Sequence, residues 1–161
     1  MIERVGKENE MAIKVNSIAP DFVLKDQNGE EVQLSRLKGR KVLLSFRPLA
    51  WTPVCRDQMK KLDINHKRLD EQNTVALGIG VDSVPSNKAW AESMAITQTK
   101  ILSDFWPHGE IARLYGVFRE EDGFSERANI IVDERQKVVF VKVYPMSERP
   151  DIEEVIRFLK G

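Results

Sequence analysis

The sequence of 161 residues predicts a three-layer α/β domain around a central mixed β-sheet, and three patterns predict it. Short, nearly continuous apolar runs recur along the chain, as expected of strands buried on both faces. Segments with apolar residues at helical spacing alternate with them, opened by Thr52-Pro53, Pro85 and Pro150-Asp151. Other neighbouring runs are joined by turn residues instead, so some strands must be antiparallel.

Met1 to Glu10 are polar and rich in charge, and residues 1–12 are read as a disordered tail ahead of a single domain spanning 13–161. After Pro20, Phe22 and Leu24 alternate with polar residues, Asp26-Gln27-Asn28-Gly29 supplies a turn, and Val32 and Leu34 alternate again. That is an N-terminal hairpin. Val42, Leu43, Leu44 and Phe46 form a buried strand, and a helix begins at Pro53 with Met59, Leu62 and Leu69 on one face. Thr74 to Val81 is a second buried strand, Pro85 opens a helix carrying Ala89, Trp90, Met94 and Ala95, and Ile101-Leu102 is a short strand. A short helix fits Gly109 to Tyr115. Arg127 to Val132 and Val138 to Val143 flank a turn at 133–136, and the last helix carries Ile152, Val155, Ile156 and Leu159. The predicted order is β-β-β-α-β-α-β-α-β-β-α.

Lysine plus arginine and aspartate plus glutamate number 25 each, so no net field favours nucleic acid or an anionic membrane. No apolar run approaches the roughly 20 residues a membrane span needs, and the N-terminus lacks a signal-peptide layout, so a cytoplasmic protein is expected. One cysteine excludes an intrachain disulfide or a thiolate-rich metal site, and the distant His66 and His108 make no metal centre. No cofactor is expected. Cys55 is then either inert filling or a reactive thiol.

Its context favours reactivity. The loop Pro48-Leu49-Ala50-Trp51-Thr52-Pro53-Val54-Cys55 follows a buried strand and delivers the cysteine to the first turn of a helix. Free backbone N–H groups and the positive end of the helix dipole favour a thiolate there.

The pattern Pro48-x-x-x-Thr52-x-x-Cys55 resembles the active-site signature of the peroxiredoxin family, the alkyl hydroperoxide reductase and thiol-specific antioxidant group. Further landmarks occur in the same order: Ala19-Pro20-Asp21-Phe22, Leu34-Ser35-x-Leu37-Lys38-Gly39, Leu102-Ser103-Asp104-Phe105, Tyr115-Gly116-Val117, Arg127-Ala128 and Val132-Asp133. The resemblance covers about residues 15 to 160. Ser103 to Gly109 is similar to the corresponding loop of the one-cysteine, AhpE-like group.

The resemblance implies a thioredoxin-like α/β/α fold, with Cys55 as peroxidatic nucleophile and Thr52 hydrogen-bonding around the thiolate and peroxide. It further implies that Pro48 shields the pocket beside Val54, and that Arg127 faces the cysteine from a later strand. Read alone, Arg127 would be a surface ion-pairing residue near Glu126 and Asp133. Gln58 departs from the glutamate often found three residues after this cysteine, and a neutral amide accepts more weakly than a carboxylate. Cys-x-x-Cys exchange is ruled out because Thr52 and Gln58 occupy the flanking positions. With Lys60 where many relatives carry a resolving thiol, an external thiol donor of thioredoxin-like, glutaredoxin-like or low-molecular-weight type is implied.

The implied activity is reduction of hydrogen peroxide or alkyl hydroperoxides through a sulfenic acid on Cys55. Ionisation alone cannot supply the rate. Full conversion of a thiol of ordinary pKa to thiolate at pH 7 gains only about 30-fold. The lower basicity of that thiolate takes back roughly 10-fold. Donors aimed at the departing oxygen must do the rest. The alternative is a peroxide-sensing switch or holdase using the same cysteine. Trp51 and Phe105-Trp106 suggest a homodimer interface near the active-site loop.

Overall fold

The computed structural model describes residues 11–161. A seven-stranded mixed sheet has the spatial order β2-β1-β5-β4-β3-β8-β9. Its strands are β1 (Val23–Lys25), β2 (Glu31–Gln33), β3 (Lys41–Phe46), β4 (Thr74–Gly80), β5 (Lys100–Ser103), β8 (Arg127–Val132) and β9 (Val138–Tyr144). β3, β4 and β5 run parallel, while β8 lies antiparallel to β3 and β9 antiparallel to β8. β1 and β2 form the predicted hairpin, whose turn is closed by Asp26 Oδ1 accepting the N–H groups of Asn28 and Glu30.

Alternation along the central strands sorts side chains into two cores. Val42, Leu44 and Phe46 join Ala128, Ile130 and Val132 on one face, with Phe22, Ile111 and Tyr115 packed over them. Leu43 and Ile131 lie on the other face with Cys55, Met59, Leu62, Trp90, Val155 and Ile156. Because successive side chains point to opposite faces, Ser45 shares the face of Leu43, and Arg127 and Asn129 share the face of Ile131. These three polar side chains therefore point toward the cysteine's side of the sheet.

Helices α1 (Pro53–Ile64), α2 (His66–Glu71), α3 (Val84–Ser93) and α5 (Ile152–Lys160) supply most of the apolar residues of that second core. α1 approaches β4 where Gly78 leaves room: a Cβ there would lie 2.4 Å from Met59 Sδ. α5 starts where Asp151 Oδ1 accepts Glu153 N–H at 2.9 Å. It buries Ile152, Val155, Ile156 and Leu159 at helical spacing, each worth roughly 1.5–3 kcal/mol relative to exposure.

Three features differ from the sequence reading. The helix expected to run from Pro53 through Leu69 is two helices, broken at Asn65, whose Nδ2 donates to Lys61 carbonyl at 2.8 Å and takes up a helix acceptor. A small hairpin of β6 (Phe118–Arg119) and β7 (Phe124–Ser125) follows α4 (Glu110–Leu114); two-residue strands are too short to give a period. Residues 1–10 of the expected tail lie outside the described residues, but Ala12 does not behave as tail. It is 2% exposed within the core, and the following residue, Ile13, donates its N–H to Tyr115 carbonyl at 3.0 Å. Among the described residues, no helix is long and apolar enough to cross a membrane.

Candidate active site

β3 ends at Phe46 and the chain turns through Arg47 to Thr52 into α1. This loop is held from outside. Ala50 N–H donates to Asp82 Oδ1 at 2.8 Å and Trp51 Nε1 to Ser86 Oγ at 3.1 Å, which hold Trp51 in the left-handed region at φ 68°. Such a conformation costs a non-glycine residue on the order of 1 kcal/mol and persists where surroundings enforce it.

Thr52 occupies the N-cap position with extended backbone, and Pro53 is the first helical residue. The Thr52 side chain makes no cap bond; its hydroxyl donates to Leu49 carbonyl at 2.9 Å, closing the loop on itself rather than donating to the sulfur. The first intrahelical bond runs from Arg56 N–H to Thr52 carbonyl at 2.9 Å. Val54 and Cys55 therefore belong to the opening turn, where amides lie ahead of the i→i−4 ladder. Pro48 is buried and Val54 half-buried.

Cys55 is fully buried, and the guanidinium of Arg127 reaches it across the sheet: Nη1 lies 3.2 Å from Sγ. The same nitrogen donates to Gln58 Oε1 at 2.9 Å. Nε and Nη2 both donate to Met146 carbonyl, at 3.1 and 2.9 Å, in the segment that follows β9. Arg127 is 3% exposed, so the surface ion-pairing role is excluded; the neighbouring Glu126 pairs with Arg119 at 3.0 Å instead. Gln58 is buried and takes the place of a carboxylate as acceptor. Its Nε2 donates to Ser45 Oγ at 2.8 Å and to Phe46 carbonyl at 3.0 Å. Among the described residues, Arg127 thus carries its charge beside the sulfur with only neutral oxygen acceptors, Gln58 Oε1 and Met146 carbonyl.

Arg47, absent from the sequence-derived candidates, is a second buried cation. Its Nη2 donates to Asn87 Oδ1 at 2.8 Å and lies 3.9 Å from Asp82 Oδ1, and the guanidinium sits 5.0 Å over the Trp90 ring. Its Nε and Nη1 have no hydrogen-bond partner among the described residues. Burial pulls its pKa down to about 10, against the opposing attraction of Asp82 and Cys55. It remains charged at neutral pH. A charged residue closing an otherwise apolar strand was the signal that could have found it.

The remaining side chains singled out earlier do not join the site. Trp90 and Met94 are core, Trp51 is exposed, and His108 Nε2 pairs with Gly123 carbonyl at 2.7 Å. Among the described residues no cluster of three metal-ligating side chains occurs.

The AhpC/TSA family model matches residues 15–141. The chain is 37% identical over 140 residues to alkyl hydroperoxide reductase E of Mycobacterium tuberculosis, covering 86% of this chain and 91% of that protein. It is 31% identical over 147 residues to thiol peroxidase of Oceanobacillus iheyensis, covering 91% and 88%. Reduced 2-Cys peroxiredoxin of Plasmodium vivax superposes with a TM-score of 0.84 at 26% identity, covering 92% of this chain and 81% of that one. Peroxidoxin BcpB of Mycobacterium tuberculosis does so with a TM-score of 0.81 at 27% identity, covering 92% and 97%. A buried cysteine at a helix start, an arginine brought to it from a distant strand, and a match to one family over most of the length converge on one assignment: the chain belongs to the AhpC/TSA family, the peroxiredoxins.

Proposed function

We propose that this thiol peroxidase reduces hydrogen peroxide or alkyl hydroperoxides by a one-cysteine mechanism in which Cys55 is the nucleophile and Arg127 the principal electrostatic partner. The observation that carries the reading is the 3.2 Å contact between Arg127 Nη1 and Cys55 Sγ. The Cys55 thiolate attacks one peroxide oxygen and forms the S–O bond as the O–O bond breaks. The departing oxygen leaves with the bonding pair and takes a proton, giving water or an alcohol, while the sulfur is left as sulfenic acid. Negative charge moves from sulfur to that oxygen, so a donor able to follow it lowers the barrier. Arg127 has that capacity because Met146 and Gln58 hold its plane while Nη1 faces the reacting atom.

Thr52 contributes its hydroxyl oxygen at the loop–helix junction, and Pro48 and Val54 wall the approach to the sulfur. An external thiol then attacks the sulfenic sulfur, water leaves, and a second thiol releases the mixed disulfide. A cytoplasmic setting suits a cycle that draws on a reducing thiol pool. Val23, Phe105 and Trp106 are exposed and line one surface groove, and Trp51 is exposed as well; this exposed apolar surface supports a homodimer.

The direct test is to mix reduced protein with one equivalent of hydrogen peroxide and trap sulfenic acid with dimedone. Stoichiometric labelling of Cys55 is expected; an unmodified cysteine after millimolar-scale exposure would falsify the reading. Turnover with a thiol donor separates an enzyme from a single-use sensor.

A further inference from the structure

Behind Arg127 a line of buried polar groups, which the reaction does not itself require, leads out to the half-buried carboxylate of Glu154. Gln58 Nε2 donates to Ser45 Oγ at 2.8 Å, and Ser45 Oγ donates to Asn129 Oδ1 at 2.8 Å. Asn129 Nδ2 reaches Tyr144 Oη at 3.5 Å, the longest link, and Tyr144 Oη donates to Glu154 Oε1 at 3.0 Å. Lys142 Nζ holds the other carboxylate oxygen at 2.8 Å. Ser45, Gln58, Asn129 and Tyr144 are all buried.

The direction of every bond follows from the ends. A guanidinium only donates and a carboxylate only accepts. Gln58 must turn Oε1 to Arg127, and its Nε2 is fixed by Phe46 carbonyl, which cannot donate. Ser45, having accepted from Gln58, gives its proton to Asn129; Asn129 gives one to Tyr144, and Tyr144 to Glu154. All the bond dipoles then point the same way, and such chains polarise one another. The charge state at the far end agrees. The Lys142 bond holds the Glu154 carboxyl below its usual range, while burial and Glu154 together push the Tyr144 phenol above its own.

We propose that Glu154 is a remote anchor for Arg127: acting through Tyr144, Asn129, Ser45 and Gln58, it fixes the plane of the guanidinium toward Cys55 without setting a negative charge beside the sulfur. Ser45, Asn129, Tyr144 and Glu154 are positioning residues, since none touches the reacting atoms. The arrangement resolves the departure at position 58. A carboxylate there would face Phe46 carbonyl at the 3.0 Å now spanned by the amide, and would neutralise the cation that the departing oxygen needs. An amide keeps the acceptor and leaves the charge free.

The proposal rests on the reading of Cys55 and Arg127 above, and its test is chosen to fail separately. Second-order rate constants of the reduced full-length protein are measured with hydrogen peroxide and with iodoacetamide, which alkylates sulfur with no oxygen leaving. Tyr144→Phe and Ser45→Ala break the chain at two points without changing net charge. Peroxide reduction is expected to slow by about 3- to 10-fold in each, with alkylation unchanged within about twofold. Because the two sites lie in series, the double variant should be no slower than the slower single variant. Glu154→Gln discriminates further: a weaker terminal acceptor slows peroxide reduction, whereas mere loss of a through-space negative charge would speed it. Unchanged peroxide rates, equal losses with both reagents as from general loosening, or losses that add in the double variant would each overturn the relay. A wild-type protein without any preference for peroxide over iodoacetamide would overturn the peroxidase reading and the relay together.

Discussion

Arg127 and Arg47 are both buried guanidiniums near the same cysteine, yet the fold treats them differently. Arg127 has all three nitrogens engaged, two on Met146 carbonyl and one shared between Gln58 and the sulfur. Arg47 has one direct acceptor, an aromatic face, a carboxylate 3.9 Å away and two nitrogens without partners among the described residues. Full hydrogen bonding fixes a plane as well as a charge, so Arg127 can aim a donor at an atom; Arg47 supplies positive potential and little direction. Burying a cation without satisfying its donors costs stability. Arg47 is therefore a net load on the fold that is offset only in part by Trp90 and Asp82.

That contrast yields a graded set of outcomes. Arg127→Met is expected to slow peroxide reduction by about 10² or more, as loss of a transition-state donor does elsewhere. Stopped-flow measurement should place Arg47→Met within about 10-fold of the parent, with a melting temperature unchanged or higher, because apolar replacement of a poorly satisfied buried charge is often neutral or stabilising. Equal effects of the two substitutions would erase the distinction. Gln58→Glu sharpens it by giving Arg127 a charged neighbour: a fall of roughly 10-fold in the peroxide rate is expected. A rate equal to or above the parent's would show that neutrality at this position is irrelevant.

Gly80→Ala probes the other cation alone. A Cβ at Gly80 would lie 2.8 Å from Arg47 Cζ, so chemical denaturation should show a loss of about 1–3 kcal/mol with the peroxide rate nearly unchanged. A large loss of rate would mean that Arg47 and Arg127 are mechanically coupled.

Asp104 serves as a control on the opposite core. It accepts the N–H groups of Ile111 and Ala112 at 3.0 Å, and burial pushes its carboxyl up to about 6 despite them. The folded state therefore takes up this proton at higher pH than the unfolded state, whose carboxyl titrates near 3.8. Its contribution raises stability as pH falls from about 6 toward 4, by on the order of 2 kcal/mol, and costs that much above pH 6. Asp104→Asn should flatten this part of the stability profile while leaving the peroxide rate alone; a parent profile already flat between pH 4 and 6 would contradict the shift.

Much of the fold was legible because strands and helices with one or two buried faces carry periodic apolar residues. Val42 to Phe46, Arg127 to Val132 and the Ile152-Val155-Ile156-Leu159 stripe fall where the pattern puts them. The break at Asn65 and the β6–β7 hairpin escaped because they depend on one side-chain bond and on strands of two residues. At the site, the placement of Cys55 at a helix start was local and could be read. Arg127 lies 69 positions from Gln58, and only a family resemblance joined it to the cysteine.

The relay had no sequence signature of its own, since its hydrogen bonds link residues at irregular separations of 10 to 84 positions, which no helical or strand period marks. Ser45 and Asn129 did carry a usable hint. Each is a polar residue inside an otherwise apolar buried strand, and such groups must find partners. The partners themselves required the register that pairs Ser45 with Asn129 across β3 and β8.

In the proposed mechanism Arg127 stabilises charge on the departing oxygen. That role is tested most directly by the rates of Cys55 with a series of hydroperoxides whose departing alcohols differ in acidity, compared between the parent protein and Arg127→Met. The rate of the parent is predicted to depend weakly on leaving-group acidity and that of the variant steeply, because water and remaining donors must then carry the charge. Parallel dependences, with the variant merely slower throughout, would contradict it.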